Sequence, residues 1–144
     1  MRLKFFAVAL LIISGFVAQP THAGDADKAV AQSIQHVISS QMEAFKAGDA
    51  SKAFSFAAPD IQAQFGNPDR FMKMVRHGYQ PVYKPKYVEF AHLAMSQDGQ
   101  YAQHVIVQAP SGEVIMAVYP MIQDDSGNWR IAGVYLKKLP RKST

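Results

Sequence analysis

Between residues 30 and 45 the apolar positions fall at Val30, Ile34, Val37, Ile38, Met42 and Phe45, with Gln32, Gln35, His36, Ser39, Glu43 and Lys46 on the opposite side. A stripe at that spacing predicts a long amphipathic helix. Asp25 and Asp27 suit its start by their capping and dipole preference, and Gly48 suits its end. Gln41 stands at the border of the stripe, where an amide either bonds nearby backbone or faces a pocket. Asp49 can cap a second, shorter helix running to residue 57, with Ala50, Ala53, Phe54 and Ala57 inward and Pro59 as its stop. Residues 60–66 read as a turn-like segment that carries Ile61 and Phe65 inward. Asn67-Pro68-Asp69 is a strong start signal for a third helix over 68–77, closed by Gly78, with Phe71, Met74 and Val75 on its apolar side.

Past residue 78 the period changes. Residues 79–85 hold two prolines and read as an extended linker. Four strand-like runs follow, at about 86–96, 100–109, 113–123 and 128–137, separated by Asp98-Gly99, Ser111-Gly112 and the longer Asp124-Asp125-Ser126-Gly127. The expected fold is α+β: N-terminal helices packed on a curved four-stranded antiparallel meander. Two-residue loops at the first two turns put Val88, Phe90, Val105, Val107, Val114, Met116 and Val118 on the core face, joined by Ile122, Trp129 and Ile131. The other face then carries Ile106, Ile115, Ala117 and Tyr119, an apolar patch that predicts a homodimer through the outer sheet face.

At 144 residues and 49% hydrophobic content the chain suffices for one ordinary core. Residues 1–23 are set apart from it. Arg2 and Lys4 give a charged start, residues 5–17 an apolar run, and Thr21-His22-Ala23 a small-residue cleavage pattern, so a signal peptide cut between Ala23 and Gly24 is expected. An uncleaved anchor is the alternative, but the apolar run is shorter than the roughly 20 residues a spanning helix needs. The expectation is a single α+β domain over 24–144, periplasmic or secreted, with no stable membrane insertion. The signal holds two of the 15 Lys and Arg and none of the 11 acids, which leaves a net charge of +2 and no nucleic-acid footprint. With no Cys, disulfides, thiol catalysis and cysteine-ligated metals are excluded.

Four His lie beyond residue 23, none paired at a metal-ligand spacing, and no nucleophile motif or Gly-rich phosphate loop occurs. No catalytic residue, metal ligand or cofactor follows from the sequence. His92 and Gln103 interrupt the face assigned to the core, and they join Gln41, Phe45, Phe71, Tyr79 and Trp129 as the expected lining of an apolar cavity. A satisfied core histidine with an amide neighbour is the structural alternative.

Gln41, Ala44-Phe45, Asp49, Ala53-Phe54, Ala58-Pro59, Ile61, Phe65-Gly66, Phe71, Met74-Val75, Gly78-Tyr79, Pro81-Val82, Pro85 and Gly127-Asn128-Trp129-Arg130-Ile131 together resemble the bacterial family catalogued as domain of unknown function 4864. That family is similar to the nuclear-transport-factor-2-like, or cystatin-like, superfamily, so the resemblance implies helices packed into a curved sheet to form a cone with a cavity. It implies no established activity, since the superfamily hosts isomerases, dehydratases, binders and interaction modules. Its enzymes place an acid or a His–Asp pair inside the cone, whereas here Asp49 and Asp60 read as caps and Glu89 and Glu113 as peripheral. The expected role is a non-catalytic module that binds a small apolar ligand or a partner. The alternative is a small lyase, isomerase or hydrolase using an inward-facing His92.

Overall fold

The computed structural model describes residues 23–140; the expected signal segment therefore lies outside the described residues, apart from Ala23 at the cleavage position. The architecture is α+β, with α1 (Ala23–Ala47), α2 (Ala50–Ser55), α3 (Pro59–Phe65), α4 (Pro68–Gly78) and α5 (Gln80–Tyr83) preceding all the strands. An open antiparallel sheet follows: β1 (Tyr87–Met95), β2 (Tyr101–Gln108), β3 (Val114–Gln123), β4 (Trp129–Ile131) and β5 (Tyr135–Lys138).

The helix caps act as their residues dictate. Asp49 accepts from Lys52 N at 3.0 Å and Asn67 from Arg70 N at 2.9 Å, each satisfying an amide that the first turn leaves free. Two proline segments differ from the sequence reading. The segment expected as a turn at 60–66 is instead mostly helix, α3 at Pro59–Phe65, because Pro59 occupies its first turn, where no N–H is needed, and Gly66 closes it at φ 77°. The expected linker at 79–85 contains α5, one helical turn with Pro81 at its start.

All three hairpins share one loop. Residue i donates to the carbonyl of i+4, residue i+3 donates back to i, and i+3 is glycine: Ser96/Gly99/Gln100, Ala109/Gly112/Glu113 and Asp124/Gly127/Asn128. Gly99, Gly112 and Gly127 sit at φ 82°, 91° and 80°, the left-handed closure of a three-residue hairpin. The second loop is thus one residue longer than expected, and it reverses the faces of β3. Val105 lies opposite Ala117 and Val107 opposite Ile115, so Ile115, Ala117, Tyr119 and Met121 point into the core. Val114, Met116, Val118 and Ile122 take the outer face, and the patch expected to meet a second subunit keeps only Ile106. The first loop makes the same change, but a β-bulge cancels it: Ala91 and His92 together oppose His104 between the pairs Phe90/Val105 and Leu93/Gln103. Val88 and Phe90 therefore remain inward as expected, and Leu93 replaces His92 there.

A second bulge divides the expected fourth strand. β4 pairs Met121 with Ile131, and β5 pairs Val118 with Tyr135, so Tyr119 and Pro120 face Ala132, Gly133 and Val134. Pro120 is the cause. It has no N–H for the ladder inside a strand paired on both sides, and prolines are tolerated there only at bulges. Its carbonyl still accepts from Ala132 N at 2.8 Å. The outer edge of β4 is covered by the α2–α3 connection, since Ala58 N donates to Ile131 O and Ile131 N to Phe56 O, both at 2.8 Å.

The core has two parts. Ile34, Ile38 and Met42 of α1 pack on Val105, Val107, Ile115, Ala117 and Tyr119 of the sheet. Phe45, Ala53, Ala57, Phe71, Met72 and Val75 tie α1, α2 and α4 together beyond the sheet's edge.

Candidate functional site

Where the two parts of the core meet they do not close. A cavity of about 430 Å³ lies between Gln41 and Phe45 of α1, Ile61 and Phe65 of α3, Phe71, Met74 and Val75 of α4, Tyr79, and the bulged segment 131–135. That segment forms the sheet-side wall because the extra residue at Gly133 separates β4 from β5. The floor is aromatic: Phe71 lies 6.2 Å from Phe45, 5.4 Å from Phe54 and 5.8 Å from Phe65, ring centre to ring centre. Among the described residues, no Lys, Arg, His, Asp or Glu lines the space. Its polar side chains are Gln41, Gln64 and the hydroxyls of Tyr79 and Tyr135. Gln41 is 3% exposed, and its Nε2 donates to Ala53 O at 3.1 Å, which joins α1 to α2.

Of the seven residues expected to line a cavity, Gln41, Phe45, Phe71 and Tyr79 do so and His92, Gln103 and Trp129 do not. Gln103 is fully buried, but its Nε2 reaches the carbonyls of Ala91 (2.9 Å), His92 (3.3 Å) and His104 (2.9 Å) and so clamps the first bulge. Trp129 packs edge-on against Tyr101 at 5.5 Å and lines a separate polar groove with His36, Asn128 and Arg130. His92, the imidazole on which a catalytic alternative rested, is exposed on the outer face and stacks on His104 at 4.0 Å. The bulge turned it outward. The sequence reading missed the sheet-side wall, whose signals were Pro120 inside a strand and Gly133 inside the next.

The sheet also encloses polar atoms that no group satisfies. Gln103 Oε1, His104 Nδ1 and Tyr119 Oη are sealed from solvent with no hydrogen-bond partner among the described residues. Burial holds the Tyr119 hydroxyl protonated by pushing its pKa far up. His104 titrates below the ordinary histidine range, first because of desolvation and then because of His92, with Lys137 adding to the same direction. A histidine whose folded-state pKa is depressed leaves stability intact above its unfolded value of about 6.5 and removes it as pH falls through the folded value. Denaturant titrations at pH 7.5 and 5.0 should therefore show a larger loss at pH 5.0 for the wild type than for His104→Gln. Equal losses would show that His104 does not couple to folding.

Among the described residues, no three His, Asp or Glu converge to hold a metal ion, and no helix is long and apolar enough to cross a membrane.

The chain belongs to the family described as Domain of unknown function (DUF4864), whose profile matches residues 27–144. A solved structure from Catenulispora acidiphila is similar to it at 13% identity, with 78% of this chain and 93% of that one covered and a TM-score of 0.49. No curated protein matches the chain.

Proposed function

We propose that the protein is an exported, non-catalytic module that binds a small, mostly apolar molecule in the cavity between α1, α3, α4 and the bulge at Gly133. The observation that carries this reading is the cavity itself: about 430 Å³, walled by aromatic and aliphatic side chains and, among the described residues, free of carboxylates, imidazoles and cations. Sites for small molecules are built this way, with a concave apolar body and a few polar groups that orient the ligand. A catalytic site needs a titratable group within hydrogen-bond reach of the reacting atom. The outward turn of His92 removes the candidate for that role. Export is supported by Arg2, Lys4, the apolar run over 5–17 and Thr21-His22-Ala23.

Titration with N-phenyl-1-naphthylamine, an uncharged apolar fluorophore, tests the reading. The folded wild type should bind it saturably, and Met74→Trp, which extends a lining side chain into the space, should lose binding at least tenfold. An open cavity accepts the larger ring at little cost in stability, whereas a filled interior would lose about 1–3 kcal/mol to overpacking. Absence of saturable binding to the wild type would end the reading.

A further inference from the structure

Gln41 is the one deeply buried polar side chain in the cavity wall, and its chemistry fixes which end of the amide is free. Ala53 O can only accept, so the group 3.1 Å away must be the amide's NH₂ end, and Oε1 is the end left over. No donor among the described residues reaches Oε1. Gln41 is 3% exposed in the wall of the cavity, so Oε1 is the end of its amide left to the space that it lines. Its position is rigid, because Ile38, Met42 and Phe45 on the same face of α1 are all buried.

We propose that Gln41 Oε1 is the specificity-determining acceptor of this cavity and that its ligand is an uncharged molecule carrying a hydroxyl or N–H donor on an apolar body. This rests on the reading of the cavity as a ligand site. Among the described residues, the lining contains no cation to pair with a carboxylate or phosphate, and no carboxylate to pair with an amine. Burying either ion there would cost far more than one neutral contact returns. An acceptor in an apolar wall also discriminates among neutral ligands. A ligand with a donor pairs with Oε1, while one without a donor covers the oxygen and leaves it unpaired.

Three naphthalenes that differ in one substituent supply the test, each titrated by fluorescence into the folded protein at pH 7: 2-naphthol, 2-methoxynaphthalene and 2-naphthoate. The wild type is expected to bind 2-naphthol roughly tenfold more tightly than 2-methoxynaphthalene, the discrimination of about one hydrogen bond, and to give no saturable signal with 2-naphthoate. Gln41→Met should bring 2-naphthol down to the affinity of the methyl ether. The comparison of ligands on the wild type stands by itself if that variant does not fold. Equal affinities for 2-naphthol and its methyl ether, or tightest binding of 2-naphthoate, would overturn the role of Gln41 and leave the ligand site intact. Binding of none of the three would overturn the ligand site, and the inference with it.

Discussion

Gln103→Leu should unfold the domain roughly 8–15 °C below the wild type, a loss of about 2–3 kcal/mol. The volume of the side chain is nearly preserved, so the loss comes from the three carbonyls, Ala91 O, His92 O and His104 O, that Nε2 now serves. A bulge leaves backbone groups out of register with the facing strand, and inside a protein each unpaired group costs about 1–3 kcal/mol. The amide NH₂ has two hydrogens to share among the three carbonyls, and the substitution also removes the orphaned Oε1; the net effect is therefore smaller than three full bonds. Thermal and urea unfolding measure it. A loss below about 0.5 kcal/mol would mean that the bulge holds its shape without the amide. Gln103→Glu is a sharper variant, since a carboxylate cannot donate to carbonyls at neutral pH and must fail more severely than Leu.

The bulge also explains what could be read from the sequence. Signals confined to a few neighbouring residues were legible: the stripe from Val30 to Phe45 gave α1, Asp49 capped α2, and Asn67-Pro68 opened α4. Pro68, preceded by the capping Asn67, was legible as a helix opener, but two other prolines were not. Pro59 and Pro81 read as interruptions, yet both stand in the first turn of a helix, where the missing N–H costs nothing. Strand faces depend on counts carried over many residues, and a single extra residue reverses everything beyond it. That is why β3 was assigned inside out by one loop residue, while the start of β1 kept its true face through two changes that cancelled. The extra residue at the β1 bulge sent His92 outward, and the one in the second loop made core of Ile115, Ala117 and Tyr119. The helical wall of the cavity, with Gln41, Phe45 and Phe71, was within reach because it rests on helical period alone, and Tyr79 follows directly on α4. The sheet-side wall was not, since it exists only where Pro120 and the residue beside it oppose three residues around Gly133.

Phe71→Ala should cost about 3–5 kcal/mol, the range for truncating a buried aromatic ring. Phe71 is 5% exposed and is the ring against which Phe45 of α1, Phe54 of α2 and Phe65 of α3 all rest. Its removal loosens three helices from α4 and joins the vacated volume to a cavity that is already open, so partial collapse cannot recover the lost contacts. A loss of under 1 kcal/mol in urea titrations would mean that the aromatic floor is too loosely packed to hold α4. Binding offers a second reading of the same variant. The truncated ring leaves Gln41 and the bulge wall in place, so an apolar probe should still enter and should restore stability by mass action. At a hundred times its Kd, N-phenyl-1-naphthylamine should return about 2.7 kcal/mol. A Phe71→Ala protein that gains nothing from a probe that stabilises the wild type would place the probe's contacts on the aromatic floor itself.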